Sequence, residues 1–200
     1  MNHDNRGTMS SLQEKKANFT KGLMFCAAAE LSADLKVNEL SFKKIAEHAG
    51  ISERTMFRYF NSREEFLDAF AAQLHSELKL PTIPSTTGQL EDYVAQLFTH
   101  LEAQPETVNL LLDPHLMQRI INTTAKLRFE ELKVLLIQDY PQCDETLITQ
   151  SAANMRYVMS ASSWRYYREN FGFDLPTSIQ CASLVVSQAL AFLDAQSIKQ

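Results

Sequence analysis

Two arginines, Arg54 and Arg58, stand four residues apart in a segment that also supplies hydroxyl groups. At this spacing both guanidinium groups lie on one face of a helix, where they can donate paired hydrogen bonds to guanine in the DNA major groove. Thr55 and Tyr59 add hydroxyls that can bind phosphate oxygens. Any one of these residues alone could be an ordinary solvated surface residue. As a set on one side of a helix, they favour contact with DNA.

Four more residues complete the candidate DNA-binding set: Lys43, Ser52, Glu53 and Arg63. Ser52 directly precedes the helix that carries the arginines, so its hydroxyl can cap that helix. Glu53 can accept a hydrogen bond from cytosine N4, or it can act as a favourable charge in the first helical turn, the role we favour. Arg63 begins the next helix, whose amino terminus attracts anions such as phosphate.

The elements that must position these residues run from Ser41 to Phe70. Ser41 can cap a first helix, and Gly50 tolerates the left-handed backbone of a sharp reversal after it. Ser62 and Glu65 form a capping-box pair that starts a third helix. The apolar stripe of the first helix consists of Phe42, Ile45, Ala46 and Ala49. A helix, a turn with Gly and a short helix with a polar outer face predict a helix-turn-helix, whose second helix enters the major groove.

The longer pattern I-A-x-x-A-G-I-S-x-x-T-M-F-R-Y-F-x-S-R-E-E-F, residues 45–66, closely resembles the DNA-binding segment of the tetracycline-repressor (TetR) family of bacterial transcription regulators. The resemblance covers about residues 11–79. It implies that Lys43 touches a base or a phosphate. Phe57 departs from the family, which usually has a tyrosine there whose hydroxyl binds a phosphate. We expect that contact to be absent and the phenyl ring to pack.

Composition and charge agree with a helical protein that meets DNA at one end. Hydrophobic residues make up 45% of the 200 residues, with five Gly and six Pro. Residues 1–63 hold ten Lys or Arg and seven Asp or Glu, a charge of +3, whereas residues 64–200 hold nine and seventeen, a charge of −8. This asymmetry suggests that one end meets a polyanion. The amino-terminal excess is modest, so it only supports the motif.

The sequence predicts a cytoplasmic protein without a membrane span. No run of about eighteen apolar residues is present, and the polar amino terminus lacks the apolar region of a signal peptide. Cys26, Cys143 and Cys181 are scattered in apolar helical patterns, which suits reduced cytosolic thiols. No Cys or His pair has metal-ligand spacing. We expect no metal, no cofactor and no enzymatic activity, because the sequence has no Gly-rich phosphate loop, no nucleophile elbow and no paired carboxylates outside evident surface faces.

The predicted fold is all-α, with about nine helices and two domains. Residues 1–10 are expected to be a disordered arm and residues 11–79 the DNA-binding domain with its connecting helix. The segment LPTIPSTTG, residues 80–88, is a linker because two prolines stop any helix. Residues 89–200 form the effector-binding and dimerisation domain. Its long helices are predicted over residues 115–139 and 144–170.

Residues 145–195 carry many small side chains, which permit close helix approach. They could pack within one subunit or form a dimer face. We favour the dimer face, because TetR-like proteins dimerise through their last two long helices and a palindromic operator needs two heads.

Aromatic and methionine side chains of the larger domain can line an apolar pocket. They could equally belong to the core or to a dimer interface. The candidate ligand-binding residues are Phe98, Met117, Met155, Met159, Trp164 and Tyr166.

The resulting hypothesis is a TetR-like regulator, favoured as a repressor. It binds a palindromic double-stranded DNA operator as a homodimer and is released by an apolar or aromatic small molecule. The alternatives are a helical ligand carrier, a protein-interaction adaptor, or a TetR-like activator without an effector.

Overall fold

The computed structural model describes residues 5–198, except the side chains of residues 5–11, 122 and 123. Over this range the chain forms eleven α-helices and no β-strand, which confirms the predicted all-α class. It divides into two compact units, Met1–Gln73 and Leu74–Gln200. Of the predicted disordered arm, residues 1–4 lie outside the described residues, whereas helix α1 already begins at Asn5.

The amino-terminal unit is built from three helices and the start of a fourth. They are α1 (Asn5–Leu31), α2 (Phe42–His48), α3 (Glu53–Tyr59) and α4 (Arg63–Glu77), with a short 3-10 turn at Val37–Glu39. Helix α4 continues past the unit boundary, so the two units share one uninterrupted helix.

Apolar residues recur at every fourth position of α1, at Phe19, Leu23, Ala27 and Leu31, and this spacing alone predicts that they form the buried stripe of the helix, but the buried face differs. Phe19 and Leu23 are exposed, whereas Met24, Ala27 and Ala28 are buried. Four residues turn a helix by about 400°, so a step of four drifts by about 40° each time. Over a long helix this drift carries Phe19 away from the core face.

Phenylalanine rings fill the centre of the amino-terminal unit. Phe66 stacks on Phe70 with ring centroids 5.8 Å apart and meets the edge of Phe60 at 5.2 Å. Phe25 of α1 joins them, 5.6 Å from Phe66. Each such pair adds about 0.5–1.5 kcal/mol beyond its buried area. This cluster therefore holds α1 and the start of α4 against the end of the helix-turn-helix.

The carboxy-terminal unit contains the remaining helices. They are α5 (Leu90–Glu102), α6 (Pro105–Leu111), α7 (Pro114–Ile120), α8 (Lys126–Asp139), α9 (Glu145–Val158), α10 (Ala161–Arg165) and α11 (Leu175–Ser197). A 3-10 turn at Thr87–Gln89 precedes α5. Single π-helical turns lie at Ile121–Ala125 and Tyr166–Asn170.

The two long helices predicted over residues 115–139 and 144–170 are each divided, which explains why eleven helices occur where about nine were predicted. In the first, the π-turn Ile121–Ala125 separates α7 from α8. In the second, Met159 leaves helical geometry at φ −86° and ψ 60°. Ser160 then caps α10, because its hydroxyl accepts a hydrogen bond from the Ser163 amide at 3.2 Å. Serine favours such caps over helix interiors.

Helix α11 packs on α5 and α9 with one face and leaves another uncovered. Ala182, Val186 and Leu193 are buried, whereas Leu184 is 58% and Phe192 45% exposed. Ala152 of α9 and Ala182 are thus interior residues of the subunit. By length and composition α11 could cross a membrane, a test that helices of soluble proteins also pass.

Candidate nucleic-acid interface and ligand cavity

The turn between α2 and α3 has a defined hydrogen-bonded geometry. The Ile51 amide donates to the Ala46 carbonyl at 3.0 Å and the Gly50 amide to the Glu47 carbonyl at 3.3 Å. This is the Schellman arrangement, which needs a left-handed residue after the helix. Gly50 supplies it with φ +67°. The turn therefore fixes the direction in which α3 leaves α2.

Ser52 fixes the beginning of α3. Its hydroxyl oxygen accepts a hydrogen bond from the Thr55 amide at 3.1 Å and lies 2.8 Å from the Thr55 hydroxyl. Capping by a serine side chain stabilises a helix by about 0.5–2 kcal/mol. The predicted site residues Ser52 and Thr55 are therefore hydrogen-bonded to each other at the first turn of α3.

Helix α3 turns its cationic residues outward. Met56 is fully buried on its inner face, whereas Glu53, Arg54 and Arg58 are exposed. Among the described residues, neither arginine forms an ion pair or a hydrogen bond; Arg58 lies over the ring of Tyr59 at 5.1 Å. Uncompensated guanidinium groups on an exposed helix are available to an external anion.

Two further residues of the predicted DNA-binding set are Lys43, on α2, and Tyr59, the last residue of α3. Lys43 is exposed on α2. The neighbouring hydroxyl of Thr20 in α1 lowers the pKa of the Tyr59 hydroxyl, and Arg58 lowers that pKa further. Phe57 is packed edge-on against Phe42 with centroids 4.9 Å apart, but stays 56% exposed.

Arg63, predicted to contact phosphate, is engaged inside the unit. Its Nε donates to the Leu40 carbonyl at 2.8 Å and its Nη2 to the Val37 carbonyl at 2.7 Å. Nη1 reaches Glu64 at 3.2 Å. The guanidinium group thus ties α4 to the segment before α2. The sequence showed where Arg63 lies along α4, but gave no sign of these distant carbonyl partners.

A cavity of about 500 Å³ lies within the carboxy-terminal unit. Its wall is mainly aliphatic, with side chains from α5, α6, α7, α8 and α9 and from the π-turn Ile121–Ala125. The end of α4 contributes His75, and Leu78 follows directly after that helix. This size and composition suit a small-molecule site.

Two of the six predicted ligand-binding residues, Met117 and Met159, line this cavity. The other four are placed elsewhere. Phe98 and Met155 are fully buried in the core, and Tyr166 is 53% exposed. Trp164 is buried and donates from Nε1 to Glu102 at 2.9 Å. Helical spacing identifies an inward face, but it does not separate the wall of a cavity from the solid core beside it.

Three basic residues of the wall were missed by sequence reasoning: His75, Arg128 and Arg156. Burial lowers the pKa of His75 and of Arg156, and the nearby charge of Arg128 lowers both further. Arg128 donates from Nη1 to the Tyr93 hydroxyl at 2.9 Å, and burial raises the pKa of that hydroxyl. The sequence offered one sign of a basic group in the cavity, since Arg156 directly follows Met155, which is buried.

No metal site accompanies the cavity within the described part of the chain, where no group of three or more His, Cys, Asp or Glu residues could hold an ion.

A short exposed helix with outward cations, set after a tight turn, defines the helix-turn-helix class of DNA-binding proteins. Residues 26–70 match the family model of the bacterial regulatory proteins of the tetR family. This match lies within the amino-terminal unit and confirms the resemblance to the family that was stated from the sequence.

Solved structures extend the likeness of fold over most of the chain. A transcriptional regulator from Rhodococcus sp. Rha1 superposes with a TM-score of 0.60 at 13% identity, covering 86% of this chain and 96% of that one. A protein assigned to the tetR family of transcription regulators, from Shewanella sp. PV-4, gives a TM-score of 0.55 at 18% identity, covering 87% and 95%. No curated protein matches the sequence significantly.

Proposed function

We propose that this protein is a cytoplasmic transcriptional regulator, favoured as a repressor, that binds a palindromic operator and is released by a small molecule. The observation that carries the proposal is the pair Arg54 and Arg58 on α3, both exposed and without an acidic partner among the described residues, with Arg58 lying only over the ring of Tyr59. A bidentate contact between arginine and guanine contributes about 1–3 kcal/mol of discrimination.

The other residues of the DNA-binding set have more specific roles in this proposal. Lys43 contacts a base or a phosphate, and the hydroxyl of Tyr59 contacts a phosphate. Thr55 can accept from water or DNA while it stays bonded to Ser52, whose own role is to cap α3. Glu53 is a favourable first-turn charge. The geometry of Arg63 favours a structural role over a phosphate contact.

The experiment is a mobility-shift titration with DNA from upstream of the protein's own gene. Arg54→Ala and Arg58→Ala should each weaken specific binding by about 1–3 kcal/mol. Lys126→Ala removes an exposed cation from the carboxy-terminal unit and is the matched control. If both arginine variants bind like the unaltered protein, the assignment of α3 as the recognition helix fails.

Assembly as a homodimer is the second part of the proposal. The uncovered face of α11 supports it, because only 22% of the most apolar stretch of that helix is buried in one subunit. Exposed apolar area of this kind is a feature of protein interfaces. Pairing of residues 145–195 with a second copy would cover it and would provide the two heads that an inverted repeat requires.

Release by a small molecule is the third part, and the cavity supports it. Helix α4 begins in the DNA-binding unit, and its last turn contributes to the cavity wall. A ligand that repacks this wall can therefore act on a helix that continues into the DNA-binding unit. The ligand must bind the DNA-free form better, by about 1–3 kcal/mol for ordinary coupling. Titration of the ligand with and without operator DNA measures this difference directly.

A further inference from the structure

The charged residues of the cavity wall are all basic. Arg128 and Arg156 lie among aliphatic side chains such as Leu97, Leu101 and Leu111. No Asp or Glu belongs to the wall as far as its residues are described. An arginine inside a protein is ordinarily paired with a carboxylate, because an isolated buried charge is costly. Arg128 and Arg156 are half-buried, and they share one cavity without an acidic partner among its described wall residues.

The hydrogen bonds of the two guanidinium groups leave donors unused. Arg156 donates from Nη1 to the Met159 carbonyl at 2.8 Å, and its buried Nε has no partner. Arg128 donates from Nη1 to the neutral Tyr93 hydroxyl. A guanidinium group has five N–H donors, so each arginine has donors beyond the one hydrogen bond named here that a ligand in the cavity can use.

The electrostatics of the wall add to this imbalance. Arg128 and Arg156 are close enough to repel each other, since the charge of Arg128 lowers the pKa of Arg156. Burial and, to a smaller extent, both arginine charges lower the pKa of His75, which favours its neutral form beside the two arginines. A bound anion would attract both arginines and relieve their mutual repulsion.

We propose that the cavity binds a small carboxylate with an apolar body, such as a medium-chain fatty acid, whose carboxylate accepts hydrogen bonds from Arg128 and Arg156. The planar fork of arginine matches carboxylate geometry, and the aliphatic wall accommodates the body. This inference rests on the proposed function in that it takes the cavity to be the effector site, and it names the chemical class of that effector.

The test compares three probes of equal chain length: decanoate, decan-1-ol and decylamine. Each is titrated calorimetrically into the full-length protein without DNA, below its micelle-forming concentration. The chain contributes similarly in all three, so the difference reports the head group. We expect the dissociation constant of decanoate to be at least about tenfold lower than that of decan-1-ol, since one hydrogen bond to a charged group changes affinity by about that factor or more. Decylamine should bind most weakly.

Arg128→Met and Arg156→Met test the two residues named. Each should remove most of the preference for decanoate over decan-1-ol while keeping decan-1-ol binding, which shows that the variant is folded and its cavity intact. Arg165→Met is the control, because Arg165 of α10 does not line the cavity. It should retain the full preference.

Equal or tighter binding of decan-1-ol or decylamine by the unaltered protein would overturn the inference. So would an unchanged decanoate preference in both cavity variants, or no binding by any probe up to its solubility limit. These titrations contain no DNA. Failure here therefore leaves operator binding intact, and failure of operator binding leaves the head-group preference measurable.

Discussion

Arg63 gives the sharpest test of the structure against the sequence pattern. The pattern makes it a phosphate contact, so Arg63→Met should weaken DNA binding without affecting stability. The structure instead makes it a brace between α4 and the carbonyls of Val37 and Leu40. On this basis Arg63→Met removes two charged hydrogen bonds. The Leu40 carbonyl loses its described partner, whereas the Val37 carbonyl keeps the hydrogen bond from the Leu40 amide at 3.2 Å.

The magnitude follows from those bonds. A hydrogen bond to a charged group contributes about 1.5–3 kcal/mol. The side chain is 32% exposed, so water replaces part of what is lost. We therefore expect a loss of about 2–3 kcal/mol in the free energy of unfolding, which lowers Tm by about 5–10 °C for a chain of this size.

Urea denaturation followed by circular dichroism measures this loss. Arg54→Met is the matched control, because it removes an exposed arginine of the same unit that has no partner; its stability should change by less than about 0.5 kcal/mol. Arg63→Lys should fall between the two, since one ammonium cannot reproduce the two-pronged contact. If Arg63→Met is as stable as Arg54→Met and both unfold like the unaltered protein, the bracing role of Arg63 is refuted.

Three other changes probe the turn, the cavity and the dimer face. Gly50→Ala should lower the free energy of unfolding, measured by urea denaturation, by about 1–2 kcal/mol. The loss comes from backbone strain at φ +67° and not from a steric clash, because no atom lies within 4 Å of the added methyl group. Because the folded-state pKa of His75 is lowered, the unfolded chain binds a proton first as pH falls. Stability should therefore decline below about pH 6.5, and His75→Gln should reduce this decline. Leu184→Glu should shift the protein from dimer to monomer in analytical sedimentation; a variant that remains fully dimeric would exclude Leu184 from the interface.

Sequence alone predicts the helix-turn-helix well because its determinants are local. The Ser41 and Ser52 caps and the Gly50 turn act over three to five residues, so their spacing in the chain specifies their geometry. The outward direction of Arg54 and Arg58 follows from the same short helix. These features depend little on what packs from elsewhere.

The features that sequence misses depend on distant contacts. Arg63 binds carbonyls more than twenty residues away. The two arginines of the cavity, Arg128 and Arg156, come from different helices, α8 and α9. The division of the two long helices was also missed, because apolar residues continue on both sides of the π-turn Ile121–Ala125 and of the break at Met159 and Ser160. A periodic pattern shows which face is inward but not whether that face meets a packed core, as at Phe98, or a cavity, as at Met117.

Linkage limits how the proposed cavity can regulate DNA binding. A ligand that binds the DNA-bound and DNA-free forms equally shifts nothing, however tightly it binds. The wall contains one segment that also continues into the DNA-binding unit, the end of α4 with His75. An anion held by Arg128 and Arg156 would act on His75 as well, because the same two charges already lower its pKa. Charge in the cavity is therefore coupled to α4 by electrostatics as well as by packing. An uncharged ligand of the same shape acts through packing alone, so under this proposal the head group that fixes affinity also contributes to differential binding.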